Sequence, residues 1–291
     1  MTPLRAVLVP LLLAVGAIVS IQAGAAIAKT LFPVFGAEGT TSLRLVFGAA
    51  LLCAFYRPWR GFAQWRDVRA RRLLLVYGTS LGAMNLLFYV ALRGLPLGLC
   101  VAVEFLGPLG VAVFASRRPL DYAWVAVAIV GLALLLPWPG LDARFETASV
   151  LAALGAAIGW AVYIVSGQKL GRHAHLPSGR SVALGMVIGA VLVLPVGVAS
   201  LDAAWFDARW LWPVLLVALL STALPYPLEM AAMKRLPVRT FGILMSLEPA
   251  VAALSGWVLL GERLSLWQDL AIACVMIASA GSALTARRES P

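Results

Sequence analysis

Three glutamates lie within long apolar segments of the chain. Glu104 and Glu248 fall near the middle of their segments, and Glu229 falls near the end of another. An ionised group at the centre of a bilayer costs about 3 kcal/mol on insertion scales, so it is expected to face a cavity or a partner. Such a carboxyl group can exchange protons or pair with a substrate ammonium. For Glu229, the alternative is an interfacial position or a salt bridge to Lys234 or Arg235.

Pro108 and Pro249 follow two of these glutamates closely in the sequence. A proline inside a helix removes one backbone hydrogen bond and leaves a carbonyl group free. The prolines therefore predict helix breaks, as in the discontinuous helices of transporters, with a simple packing kink as the alternative. If Glu104 and Glu248 were neutral, their carboxyl groups could instead bond the freed carbonyls.

Two basic residues, Lys29 and Arg44, lie near the ends of apolar segments. Either one could attract a substrate carboxylate. The favoured interpretation is an interfacial anchor, in which the long stem is apolar and the charged head reaches water. Glu262 and Arg263 fall in a short turn between two apolar segments, where we expect capping and hairpin residues.

One apparent catalytic motif lacks the rest of its machinery. Residues 78–82 match the G-x-S-x-G pattern of serine nucleophiles, which needs a histidine base beside the serine. The two histidines of the chain, His173 and His175, lie in a polar loop of the other half. Nucleotide-binding and metalloprotease motifs are absent from the sequence, and Cys53, Cys100 and Cys274 have no metal-site or disulfide spacing. We therefore expect no catalytic residue, no metal and no cofactor.

The composition indicates that lipid is the solvent of this chain. It has 291 residues, of which 62% are hydrophobic and 12% are charged, and its mean hydropathy is +0.93. Soluble proteins carry about twice that charged fraction. The net charge of +10 does not indicate nucleic-acid binding, because the basic residues lie between apolar segments and not beside exposed aromatic residues.

A bilayer-spanning helix needs about 20 apolar residues, and the sequence contains ten such segments. Together they predict an all-α membrane protein with ten transmembrane helices. G-x-x-x-G stretches at residues 78–82, 155–159 and 185–189 permit close helix contacts. The segments are residues 6–28, 39–56, 72–92, 96–115, 119–137, 148–167, 180–200, 210–230, 238–260 and 265–285.

Positive charge predicts the orientation of these segments. Most of the 23 Lys and Arg residues fall in loops on the same side as the N-terminus, and cytoplasmic loops are the ones enriched in basic residues. Both termini are therefore predicted to be cytoplasmic. The first segment could pass for a signal peptide, but it is longer than the usual apolar core of a signal.

The two halves of the chain resemble each other at an offset of 141 residues. At that offset Pro96 aligns with Pro237 and Pro108 with Pro249, within a gap-free match of residues 74–108 to 215–249. The offset spans five segments, an odd number, so matching helices cross in opposite directions. This pattern predicts two inverted five-helix repeats, residues 1–140 and 141–291, as in alternating-access transporters.

Polar residues recur at same-face spacing in the first, third, fourth, sixth, eighth and ninth segments, which form three symmetry pairs. We expect these six helices to line one central cavity. The candidates for substrate binding or proton coupling are Glu104, Glu248, Glu229, Gln22, Asn85, Tyr89, Tyr163, Tyr226 and Thr222, with helix breaks at Pro108 and Pro249.

Several stretches together resemble a known family. They are Ser20-Ile21-Gln22, Met84-Asn85, Glu104-Phe105 with Gly107-Pro108, Tyr163-Ile164, Ser221-Thr222-Ala223-Leu224-Pro225-Tyr226 and Glu248-Pro249. The chain resembles the EamA-type members of the drug/metabolite transporter superfamily, and is most similar to their bacterial inner-membrane threonine/homoserine exporters. This resemblance implies export of threonine, homoserine and related amino acids in exchange for protons.

The residues also allow other functions. Trp160, Tyr163 and Tyr226 would suit the larger substrates of a drug or general metabolite exporter. An intramembrane enzyme or lipid-handling scaffold is disfavoured by the missing nucleophile–base pair. For an amino acid, we expect the ammonium group near Glu104 or Glu248, the hydroxyl group near Gln22, Asn85 or Tyr163, and the carboxylate on backbone donors at the proline breaks.

Overall fold

All regular elements in the described residues are helices. The structure is a computed structural model that describes residues 3–59, 67–115, 119–134, 146–174, 178–199, 203–233, 235–236 and 238–285. The first eight helices are α1 (Pro3–Thr30), α2 (Phe32–Tyr56), α3 (Val68–Ala91), α4 (Leu97–Glu104), α5 (Leu106–Ala115), α6 (Pro119–Ala133), α7 (Thr147–Ala174) and α8 (Ser178–Val198).

The second part of the chain continues through two short 3-10 turns, Ala203–Phe206 and Ala208–Trp210. It then forms α9 (Leu211–Ala218), a π-helical segment (Leu219–Ala223), α10 (Pro225–Met233), α11 (Val238–Met245), α12 (Glu248–Leu260) and α13 (Leu266–Thr285).

The predicted all-helical membrane fold is confirmed. Within the described ranges, eight helical segments are long and apolar enough to cross a membrane, and two shorter apolar segments cover Leu97–Ala112 and Tyr122–Ala133. Each of these ten segments overlaps one of the ten predicted ones. The Leu97–Ala112 segment contains the interruption between α4 and α5.

Helix α2 begins earlier than predicted. The predicted segment starts at residue 39, but α2 runs from Phe32 and contains Gly36 with φ 67° and ψ 173°. A glycine tolerates this positive φ without steric cost, so the chain bends and continues as a helix. The turn before the bend places Phe35 edge-on against Trp205 and Trp210.

Glycines permit the closest helix contacts in the bundle. On α3, a Cβ atom at Gly82 would lie 2.7 Å from the Cα atom of Gly189 on α8. On α7, a Cβ atom at Gly159 would lie 2.9 Å from Met84 Cβ of α3. The predicted G-x-x-x-G contacts are therefore present, and α3 packs against both α7 and α8.

Candidate functional site

Several of the predicted polar residues lie at or next to three interruptions in helices. The interruptions lie between α4 and α5, between α11 and α12, and along the π segment before α10. Pro108, Pro249 and Pro225 fall respectively in the first turns of α5, α12 and α10. A proline is tolerated in a first turn, where its missing N–H has no helical acceptor, but it disfavours continuation of the preceding helix.

Glu104 and Glu248 lie directly at two of these interruptions. Glu104 is the last residue of α4, and Glu248 is the first residue of α12. Backbone bonding continues on both sides of the first gap, with Phe105 N donating to Val101 O at 2.9 Å and Leu109 N donating to Phe105 O at 3.2 Å. Each glutamate therefore projects from the end of a half-helix.

The third interruption is a π bulge whose freed carbonyl groups are bonded by other helices. Leu224 N donates to Leu219 O, which leaves the Leu220 carbonyl without its usual α-helical donor. Ser20 Oγ on α1 supplies that bond at 2.7 Å. Pro225 has no N–H to offer the Ser221 carbonyl.

Arg44 of α2 bonds the carbonyl that Pro225 leaves free. Its Nη2 atom donates to Ser221 O at 3.1 Å, and its Nε atom donates to Thr222 Oγ1 at 3.3 Å. The residue is only 4% exposed, and its guanidinium carbon lies 5.1 Å from the centroid of the Tyr89 ring. The interpretation of Arg44 as an interfacial anchor is therefore wrong, because the break in a neighbouring helix offers its charged head buried acceptors.

Lys29 also binds specific partners. Its Nζ atom lies 2.7 Å from Glu262 Oε1 and 2.9 Å from the Leu95 carbonyl oxygen. Glu262 Oε2 in turn accepts a hydrogen bond from Leu97 N at 2.8 Å and so caps α4. The predicted capping role of Glu262 is confirmed, but it caps a distant helix and holds Lys29 as well.

The three membrane glutamates are half-buried, and one of them lies within electrostatic range of the other two. Glu248 interacts electrostatically with both Glu104 and Glu229. In the described part of the chain, none of the three carboxyl groups has a hydrogen bond or an ion pair. The alternative salt bridge from Glu229 to Arg235 is not formed, and Lys234 lies outside the described residues. The alternative bonds to freed carbonyls are not formed either.

Two tyrosines form a stacked pair within electrostatic range of Glu229. The rings of Tyr77 on α3 and Tyr163 on α7 stack with centroids 4.7 Å apart, and Tyr77 Oη donates to Tyr163 Oη at 3.1 Å. Tyr226 and Glu229 lie within electrostatic range of both tyrosines. Tyr77 was missed in the sequence, although its spacing from Asn85 places it on the same helical face.

The remaining candidates differ in how they are bonded. Gln22 and Asn85 are buried, and Asn85 Nδ2 donates to Leu81 O of its own helix at 2.7 Å. Thr222 accepts from Arg44. Tyr89 is fully buried, and its hydroxyl group has no hydrogen-bond partner within the described ranges.

The described side chains are suited to reversible binding of a small charged molecule. They offer carboxyl groups, one guanidinium group and several hydroxyl groups around interrupted helices. Among the described residues, no group of three or more His, Cys, Asp or Glu side chains could hold a metal ion. Exchange of protons or ammonium groups at the carboxylates is the chemistry that these residues support.

Comparison with known proteins identifies the class to which these features belong. Residues 147–284 match the EamA-like transporter family. The chain is 49% identical over 286 residues to the threonine/homoserine exporter RhtA of Escherichia coli K12, covering 97% of this chain and 93% of the relative. It is also 49% identical over 285 residues to the protein of that name in Salmonella typhimurium SL1344, covering 96% of this chain and 93% of the relative.

A more distant relative and a solved structure extend the comparison. The uncharacterized transporter YwfM of Bacillus subtilis is 28% identical over 214 residues, 70% of this chain and 71% of the relative. A crystal structure with 23% sequence identity matches 96% of this chain and 99% of its own with a TM-score of 0.65, which shows a shared fold. The extent of the close similarity decides the family: this chain belongs to the EamA-like transporters.

Proposed function

We propose that this protein exports threonine, homoserine and related amino acids across the bacterial inner membrane. The observation that carries the proposal is the 49% identity, over almost the whole chain, to exporters of these amino acids. The site supports it independently, because both substrates are small zwitterions with a hydroxyl group.

The described side chains match the polar groups of such a substrate. Glu104 and Glu248 have no partner among the described side chains, so either carboxylate can receive the ammonium group. Tyr163 and Gln22 offer hydrogen bonds to the hydroxyl group. Asn85 uses one amide proton within α3, which leaves its oxygen as an acceptor for the same hydroxyl.

Two inverted five-helix repeats, residues 1–140 and 141–291, would provide the scaffold for alternating access. The bounds of the interrupted helices support this part of the proposal. Shifted by 141 residues, α4 (Leu97–Glu104) coincides with α11 (Val238–Met245) at both ends. Half-helices at equivalent positions of two repeats are typical of transporters whose substrate site lies between the repeats.

In the proposed cycle both termini are cytoplasmic, all ten segments cross the membrane, and a proton replaces the substrate ammonium. The substrate enters from the cytoplasm while a glutamate is ionised. A proton arriving from the opposite side then neutralises that carboxylate and weakens its attraction for the ammonium group, so the amino acid leaves outward. The proton is carried inward when the empty protein returns.

A drug exporter of the same family fits the described residues less well. The half-buried carboxyl groups of Glu104 and Glu248, which have no partner among the described side chains, suit a polar ligand, because an apolar molecule would leave them unpaired. Trp160 is also engaged, since its ring packs edge-on against Phe105 at the α4–α5 interruption.

The decisive experiment measures transport by the purified protein in liposomes. The liposomes are loaded with labelled threonine, and efflux is followed with and without an acidic exterior. We expect efflux well above that of protein-free liposomes, inhibition by homoserine and acceleration by the acidic exterior. Efflux equal to that of protein-free liposomes would contradict the proposed export of threonine. Efflux that exceeds this level but does not respond to the acidic exterior would contradict only the proton coupling.

A further inference from the structure

Arg44 is a buried cation without an adjacent counterion. Among the described residues no carboxylate oxygen lies within 4 Å of its guanidinium group, whereas Lys29 is paired with Glu262 at 2.7 Å. A buried charge is costly unless it is paired. Neutral acceptors at Ser221 and Thr222 satisfy hydrogen bonds of Arg44 but do not balance its charge, so the site is complete only when an anion is present.

The orientation of the guanidinium group is fixed by the neighbouring helix break. Nε donates to Thr222 Oγ1 and Nη2 donates to the Ser221 carbonyl, and the guanidinium carbon lies near the ring of Tyr89. In the described part of the molecule no acceptor bonds Nη1. The edge formed by Nη1 and the second proton of Nη2 is therefore suited to a carboxylate, which accepts two parallel hydrogen bonds from arginine.

The tyrosine whose ring centroid lies 5.1 Å from this guanidinium carbon also has a hydroxyl group without a partner in the described structure. Tyr89 is 0% exposed, and its hydroxyl group is one of few buried side-chain polar atoms in the described residues without a hydrogen bond. A buried hydroxyl without a partner is destabilising by about 1–3 kcal/mol. A ligand oxygen near Arg44 would give the hydroxyl proton an acceptor.

Glu104 lies within electrostatic range of Arg44 without forming a direct ion pair with it. The ammonium and carboxylate groups of an α-amino acid are joined through a single carbon atom. One molecule placed between the two side chains would therefore neutralise both charges.

We propose that Arg44 and Tyr89 form the subsite for the α-carboxylate of the substrate, with the α-ammonium group directed to Glu104. This inference rests on the proposed amino-acid export and names the groups that select an amino acid over an amine. It replaces the expectation that backbone donors at Pro108 and Pro249 hold the carboxylate. A substrate without a carboxylate would leave Arg44 without a counterion.

The test compares threonine with threoninol, which keeps the ammonium and side-chain hydroxyl groups but has an alcohol in place of the carboxylate. Binding of each is measured by calorimetry on the purified full-length protein in lipid nanodiscs. The wild type is expected to bind threonine roughly 10- to 100-fold more tightly than threoninol, the range for a charged hydrogen-bonded contact. Arg44→Gln is expected to reduce this ratio to about one.

Two further variants make the outcome decisive. Arg209→Gln changes an exposed arginine and is expected to keep the wild-type ratio. Tyr89→Phe removes only a hydroxyl group that has no partner in the described structure, so it is expected to fold, to weaken threonine binding and to leave threoninol binding unchanged.

The results separate this inference from the proposed function. A wild type that does not bind threonine would contradict amino-acid export itself. If the wild type binds threonine, an Arg44→Gln protein that keeps the wild-type ratio overturns the subsite. If Arg44→Gln does not fold, Tyr89→Phe decides, and unchanged threonine affinity in that variant overturns the subsite.

Discussion

Lys29 and Glu262 form an ion pair that joins the ends of three helices. Lys29 Nζ at the end of α1 lies 2.7 Å from Glu262 Oε1, which follows α12. The same pair bonds Leu95 O and Leu97 N at the start of α4. Gly256 makes room for it, because a Cβ atom there would lie 2.3 Å from Glu262 Oε2.

The Lys29–Glu262 pair is expected to contribute to stability as a unit. Lys29→Met and Glu262→Gln each leave the other charge without its partner, so each lowers the thermal midpoint of the purified protein in detergent. The double variant is expected to lose less stability than the two single variants lose together, with a coupling free energy of about 1–3 kcal/mol. The exposed pair Asp207–Arg209 provides the control cycle, where coupling near zero is expected. Additive effects at Lys29 and Glu262 would show that the pair does not act as a unit.

Glu104→Gln tests the proton carrier. Glutamine keeps the size and polarity of the side chain but cannot exchange a proton, so threonine efflux from liposomes is expected to lose its response to an acidic exterior. Folding is expected to be retained, because the Glu104 carboxyl group has no bond to lose among the described residues. Glu38→Gln, at a residue paired with Arg93, is the matched control and is expected to keep the response. A wild-type response in Glu104→Gln would assign proton coupling to another residue.

Gly82→Ala tests the contact between α3 and α8. The new Cβ atom would meet the backbone of Gly189 at 2.7 Å, and backbone atoms cannot move aside as a flexible side chain can. We expect a loss of about 1–3 kcal/mol in stability, typical of overpacking. Gly171→Ala is the control, since nothing lies within 4 Å of a Cβ atom there, and a stabilisation of about 0.5–1 kcal/mol is expected from alanine in a helix. Equal thermal midpoints for the two variants would contradict the close packing.

Ser20→Ala tests the bond to the π segment. Its hydroxyl group is the donor to the Leu220 carbonyl at 2.7 Å, and removal leaves a carbonyl without its side-chain donor. We expect the free energy of unfolding to fall by about 1–3 kcal/mol, measured as a lower thermal midpoint. Thr79→Val is the matched control, because Thr79 is exposed and bonds only carbonyls of its own helix. A Ser20→Ala protein as stable as this control would mean that water or a shift of the π segment replaces the bond.

Much of the fold could be predicted because the relevant information is local in the sequence. Apolar runs of sufficient length predicted the ten helical segments, since a membrane-spanning helix must satisfy its own backbone bonds. Pro108 and Pro249 predicted interruptions because the missing N–H and the ring act within one helical turn. Same-face spacing grouped Asn85 with Tyr89, but it did not lead to Tyr77 or to the stack that Tyr77 forms with Tyr163.

The partners of the charged side chains were decided only by the tertiary structure. In the sequence, Lys29 and Arg44 were equivalent basic residues near helix ends, and both looked like interfacial anchors. The bundle places Lys29 against a carboxylate 233 positions away and Arg44 against a carbonyl 177 positions away. Hydropathy determines that a helix crosses the membrane. The rotation and depth of that helix relative to its neighbours determine whether a charged side chain meets a counterion, as Lys29 does, or stays available to a substrate, as we propose for Arg44.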